Sequence, residues 1–264
     1  MSPYSSQLAD WVNRTGFADL PADVIEATKL RVLDVIGLAL AGALTDFGRS
    51  TRAAAVAMSG SGPARILGFG DRVGVAAAAF ANGAFSQALE FGDTHNESIV
   101  HMSSPAVSAA LALADFRTVS GQDWITAIAL GNEVSCRVGS VSSGELHKRG
   151  FHPTGLFATF GAAYLAGKLL GLDAPAMAAA AGIEEALRAD CCSAGWMARR
   201  RNFCIRDGRD KVALLLRCWH RRELPGLLKC SKAAGAVCVA RAGCRRAQGL
   251  REALWMAGRT LGEP

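Results

Sequence analysis

Four of the five histidines in this chain of 264 residues fall in two short polar stretches set between apolar segments. The first stretch is Glu90-Phe-Gly-Asp93-Thr94-His95-Asn96-Glu97-Ser-Ile-Val-His101-Met-Ser103-Ser104-Pro105. It gathers three carboxylates, two histidines and a threonine within twelve residues. The second is His147-Lys148-Arg149-Gly150-Phe151-His152-Pro153-Thr154-Gly155, a cationic run that leads into a proline. Imidazoles exchange protons near neutral pH, and carboxylates orient them or serve as bases. A helix N-terminus attracts anions through its free N–H groups, and each stretch ends at a proline suited to a helix start. Two histidine-bearing loops at helix starts can converge on a polyanionic ligand. The spacing alone favours a plainer reading of each: a solvated loop in which Asp93 and Ser104 merely cap and turn, and a cationic surface loop.

Helices must position these loops. Alanine dominates the composition, including Ala76–Ala79 and Ala178–Ala181. It is the best helix former, and its small side chain lets helices approach closely. The periodicity predicts helices over Ser5–Arg14, Ala22–Ala43, Phe47–Met58, Val73–Leu89, Pro105–Thr118, Asp123–Ser140, Thr154–Leu170 and Ala174–Ala181. In the second, Val24, Ile25, Ala27, Val32, Val35 and Ile36 make the expected apolar side. The Val73–Leu89 helix is apolar enough to be fully buried. Ser104 is expected to cap the helix that follows it. Ala64–Gly68 reads as a short extended segment after a Ser-Gly-Ser-Gly-Pro break. Gly131, Gly155, Gly161 and Gly167 form no phosphate-cradling pattern and read as helix-packing sites. The expected fold class is all-α.

Half the residues are hydrophobic and 20% are charged, which excludes a disordered chain. The net charge of +6 is unevenly placed. Residues 1–183 hold 12 Lys/Arg against 15 Asp/Glu, and residues 184–264 hold 17 against 8. Seven of the eight cysteines also lie beyond residue 183, at irregular spacings with no C-x-x-C pair. That argues against a zinc module. The basic, Cys-rich text from Glu184 on carries no persistent apolar stripe and no nucleic-acid reading motif. It reads as frame-shifted sequence rather than as a nucleic-acid-binding module. No secretory leader and no membrane span is read, so the expected location is cytoplasmic.

The stretch from Asn82-Gly83 through Glu90-Phe-Gly-Asp93-Thr94-His95 to His101 and Pro105 resembles the signature of the MmgE/PrpD family. That family comprises 2-methylcitrate dehydratases and cis-aconitate decarboxylases. Gly131-Asn132-Glu133-Val134, Phe151-His152-Pro153-Thr154-Gly155 and Gly167-Lys168-Leu-Leu-Gly171 are similar to its later segments, and the likeness covers residues 5–183. The resemblance implies a large helical domain, a smaller lid domain and a homodimer. It implies a lyase for small polycarboxylic acids that needs no metal and no organic cofactor. Carried over by position, Asp93, His101 and His152 are the implied catalytic residues, and Glu90 and Thr94 contact substrate. Glu90 stands where the family usually has aspartate, Gly92 where an acidic residue is common, and Met102 where proline is usual. The family's lysine-bearing segment, expected after Ile183, finds no match in the tail.

Two domains are therefore expected: a helical unit over residues 1–183 and a tail over 184–264, with the lid absent from this truncated chain. The functional expectation is a 2-methylcitrate dehydratase-like lyase that removes a proton beside a carboxylate, inactive if the missing parts are indispensable. The alternatives are a non-catalytic remnant and a basic nucleic-acid-binding protein.

Overall fold

A computed structural model describes residues 4–142 and 144–188, with side chains given through residue 183. The readings made for the tail beyond Arg188 lie outside the described residues. The elements run α1 (Tyr4–Arg14), a 3-10 turn (Phe17–Asp19), α2 (Ala22–Ala43) and α3 (Asp46–Ser59). Strands β1 (Ser61–Arg65) and β2 (Arg72–Val73) follow, then α4 (Val75–Gln87) and α5 (Ser103–Phe116). The order ends with α6 (Gly121–Ser140), the one-turn α7 (Glu145–Lys148), α8 (Pro153–Leu170) and α9 (Ala174–Arg188). The all-α expectation holds, with one small antiparallel pair, β1 with β2, as the described sheet.

Side-chain caps fix several of these boundaries. Thr45 and Ser120 accept from the backbone N–H of Gly48 and Asp123 to start α3 and α6. Gly171, at φ 71°, ends α8 in the left-handed region that glycine enters without steric cost.

The core forms where small residues let helices meet. At the crossing of α6 and α8 a methyl on Gly161 would overlap the Gly131 carbonyl and Ser135 Oγ. A methyl on Gly167 would press on Met177 Cγ at 2.9 Å, so α9 uses the same device. Gly131, Gly161 and Gly167 are thus packing glycines, but Gly155 is not. A methyl there would find only the His152 side chain, no nearer than 3.9 Å. Buried Val107, Ala110, Ala127, Ile128 and Leu165 join α5, α6 and α8 into one layer. Ala9, Val12, Tyr164, Met177 and Ala178 seal α1 and α9 onto its outer side.

Four local expectations are corrected. The extended segment begins at Ser61, because Ser61 and Ala64 both pair with Val73 across a bulge that absorbs Gly62-Pro63. Helix α4 starts two residues after Val73, which belongs to β2, and it is not wholly buried, since Phe80 is half exposed. Helix α5 begins at Ser103 with Met102 in the capping position, so Ser104 lies inside the first turn. Its buried hydroxyl bonds Ser86 instead of capping. Of the expected apolar side of α2 only Val35 is fully buried and Val24 is exposed. The helix instead buries Thr28, Ala39, Gly42 and Ala43, while Leu30, Leu33 and Leu40, with Leu44 at its C-cap, face outward. The alanine and glycine side wins because it allows the close approach to α4, where a methyl on Gly42 would strike the Phe85 carbonyl.

Candidate active site

The site grows from the N-termini of α5 and α8. Buried Met102, the last residue before α5, packs in one cluster with Val100, Phe157 and Ala158. This apolar contact brings the residue before it, His101, alongside the residue that starts α8, His152. The ring centroids stand 6.2 Å apart with planes 27° from parallel. A crosslink at the backbone fixes the pair: the His101 N–H donates to Thr154 Oγ1 at 3.0 Å.

Each imidazole has a partner that determines which ring nitrogen carries hydrogen. His101 Nδ1 lies 3.1 Å from the Asp93 carbonyl oxygen and 2.9 Å from Thr94 Oγ1. A carbonyl only accepts, so Nδ1 carries the hydrogen and shares it with both oxygens, leaving a lone pair on Nε2. The Thr94 hydroxyl then keeps its own hydrogen for another acceptor. His152 has the reverse arrangement. It caps α8 through Nδ1, which accepts from the Gly155 N–H at 3.2 Å. A backbone N–H only donates, so neutral His152 carries its hydrogen on Nε2.

Asp93 is held from three directions. Its Oδ2 accepts from Ser103 Oγ at 2.6 Å and faces Arg31 Nε at 3.4 Å. The Ser103 backbone N–H points at Oδ1 from 3.4 Å, so Asp93 meets one of the free donors of α5. Behind it, buried Asn132 donates from Nδ2 to Ser103 Oγ at 3.3 Å. Asp93, Thr94, His101 and His152 therefore come together. Glu90 does not join them by a side-chain hydrogen bond among the described residues. It is exposed in the turn after α4, at φ 58°. His95 turns away and bonds Ser98 Oγ at 2.9 Å inside a tight loop closed by the His95–Val100 bridge.

The sequence reading missed Arg31, Ser103, Asn132 and Thr154 as parts of this group. Thr154 and Asn132 stood in quoted motifs without a role, and Arg31 carried no local signal because it arrives from α2. The site is dry on one side only. Met102, Ser103 and Phe157 back it, whereas Thr94 and His152 are exposed, as are the neighbouring Phe91 and Phe151. Burial, with Glu133 second, pushes the Cys136 thiol up to about 12, so it is no nucleophile at neutral pH. No group of three or more His, Cys, Asp or Glu among the described residues is placed to hold a metal ion. None of the described helices is long and apolar enough to cross a membrane.

Fold and site together define an α-helical domain that presents two oppositely set imidazoles and hydroxyl donors at adjoining helix starts. Residues 6–189 match the MmgE/PrpD N-terminal domain, and the chain belongs to the MmgE/PrpD family. It is 32% identical over 217 residues to a cis-aconitate decarboxylase of Aspergillus terreus, covering 78% of this chain and 44% of that protein. It is 33% identical over 187 residues to the cis-aconitate decarboxylase-like protein oryM of Aspergillus oryzae (strain ATCC 42149 / RIB 40). That match covers 68% of this chain and 39% of the relative. The chain thus spans less than half the length of the curated relatives it matches.

Proposed function

We propose that this chain carries the proton-transfer site of a lyase for small polycarboxylic acids. The observation that carries the reading is the His101–His152 pair, close in space and opposite in hydrogen placement. In dehydration of a 2-methylcitrate-type acid, His101 Nε2 removes the proton beside a carboxylate. The C–O bond breaks as His152 Nε2–H delivers a proton to the departing hydroxyl, which leaves as water. The Thr94 hydroxyl and the Arg31 guanidinium are the donors for carboxylate oxygens, where charge accumulates as the proton leaves. Glu90 is assigned to the substrate's outer edge. Asp93 orients His101 through its carbonyl oxygen.

A second reaction is favoured by the names of the relatives. In decarboxylation of cis-aconitate the C–C bond to a carboxylate breaks, carbon dioxide leaves, and the electron pair left on the carbon skeleton takes a proton. The same two imidazoles serve, with His152 as the donor. Both reactions are read as independent of metal and organic cofactor, so dialysis against a chelator leaves turnover unchanged.

The experiment is an absorbance assay for the alkene formed from 2-methylcitrate, run beside product analysis of cis-aconitate mixtures. Citrate titration followed at the imidazole resonances accompanies both. His152→Ala is expected to lower turnover about a hundredfold or more. Near-normal turnover in that variant removes His152 from the mechanism. A chain that turns over neither acid and whose imidazole signals ignore citrate overturns the proposal and leaves the non-catalytic remnant.

The proposal extends to assembly, domain division and location. A homodimer is supported by the outward row Leu30, Leu33 and Leu40 on α2 with Leu44 at its C-cap, a face without cover among the described residues. Residues 1–183 are taken as one helical unit and 184–264 as a separate tail, although helix α9 runs past that boundary to Arg188; limited proteolysis near residue 190 would separate the two. A cytoplasmic location is part of the same reading, and cell fractionation checks it.

A further inference from the structure

The Asp93 carbonyl selects the His101 tautomer, so whatever fixes Asp93 fixes the base. Two buried side chains with no place in the proposed chemistry converge there. Ser103, 1% exposed, gives its hydroxyl hydrogen to Asp93 Oδ2 at 2.6 Å. Asn132, 6% exposed and on a different helix, gives an amide hydrogen to the same Ser103 oxygen at 3.3 Å. The donors run one way, from amide to hydroxyl to carboxylate, and Arg31 closes the far side at 3.4 Å.

The amide cannot be turned over. Ser103 has spent its hydrogen on Asp93, so a flipped Asn132 would set one oxygen against another. The correct orientation leaves Asn132 Oδ1 buried without a partner among the described residues. A buried acceptor without a donor is destabilising, but the flipped amide would lose the hydrogen bond to Ser103 as well, so this orientation is the better of the two.

The geometry points to Ser103 and Asn132 as positioning residues that hold Asp93 with its carbonyl on His101, keeping Nε2 of that ring free as the base. The inference rests on the proton-transfer reading of the site, yet it concerns a property of the resting protein. Its test therefore does not need turnover.

The experiment is nitrogen-detected NMR of the histidines in the full chain at a pH of roughly 8.5, above the ordinary imidazole range. In the unaltered chain His101 should be protonated on Nδ1 and His152 on Nε2. Ser103→Ala removes the hydroxyl and should move the His101 tautomer ratio toward Nε2–H by about fivefold, the worth of one hydrogen bond. Ser103→Thr, which restores the hydroxyl, should restore the ratio. His152, capping another helix, should not change in any variant and serves as the internal control. Asn132→Ala gives a second, independent perturbation should Ser103→Ala fail to fold, and it should shift His101 in the same direction. His101 found on Nε2–H in the unaltered chain overturns the inference. So does a folded Ser103→Ala or Asn132→Ala chain with His101 unchanged. Correct tautomers without turnover would instead count against the proposed reaction and leave this assignment standing.

Discussion

Replacing Gly161 by alanine tests the packing that sets the two histidines side by side. Gly161 lies where α8 crosses α6, and its missing side chain admits the Gly131 carbonyl. To clear a new methyl the two helices must separate by roughly 1 Å, and a gap of that size forfeits a quarter to a half of each dispersion contact across it. Leu165, fully buried in this seam, would alone lose roughly 2–4 kcal/mol if its contacts opened by that much. Alanine returns about 1 kcal/mol through better helix propensity. The net expectation is destabilisation by about 1–3 kcal/mol, the usual range for overpacking. Urea unfolding followed by far-ultraviolet circular dichroism measures it. Gly155→Ala is the matched control in the same helix, since a methyl there meets only the His152 side chain. It should be neutral or stabilise by up to about 1 kcal/mol. Because α8 carries His152, Gly161→Ala should also weaken the nuclear Overhauser contact between the two rings, while Gly155→Ala leaves it intact. The packing argument is refuted if Gly161→Ala is as stable as the parent within about 0.5 kcal/mol.

Three further outcomes follow from other parts of the molecule. Burial alone would raise the Asp115 carboxyl, but hydrogen bonds from the Arg65 guanidinium and backbone N–H outweigh it and hold the group below its ordinary value. A lowered folded value means the contribution is present above pH about 4 and is lost as pH falls through the folded value. Asp115→Asn should therefore cost about 1 kcal/mol at neutral pH, a modest figure because the Arg65 side chain is 65% exposed. The gap from the parent should close on acidification, as read from urea midpoints across that range. Cys136 should react with a maleimide at pH about 8 at least about a hundredfold more slowly than a free thiol, which peptide-resolved mass spectrometry reads. Leu33→Glu places a charge on the outward face of α2, where Leu33 is 69% exposed, and should halve the mass found by light scattering without loss of helicity. A parent chain that already runs as a monomer would sink the homodimer.

Much of the fold was legible because helix formation is governed locally. The bounds of α2 follow from Pro21 at its start and the apolar period after it, whereas α6 begins two residues before the expected Asp123, where Ser120 caps it. Which side of a helix is buried was less legible. On α2 the side read from Val24, Ile25, Ala27, Val32, Val35 and Ile36 is fully buried only at Val35, and the small residues Ala39, Gly42 and Ala43 are inside. The reason is non-local, since depth there is limited by the Phe85 carbonyl across from Gly42.

The candidate site divides in the same way. Along the chain, residue type marked two histidine-bearing loops near helix starts, and it was the resemblance to the MmgE/PrpD family that singled out Glu90, Asp93, Thr94, His101 and His152 within them. Only the tertiary structure decided that Met102 packing on Phe157 would bring two loops fifty residues apart into one place. It alone recruited Arg31, Ser103 and Asn132, which come from three different helices. It also set the two imidazoles in opposite senses, because a ring's hydrogen goes where its partner is an acceptor, and that partner is chosen by the folded backbone.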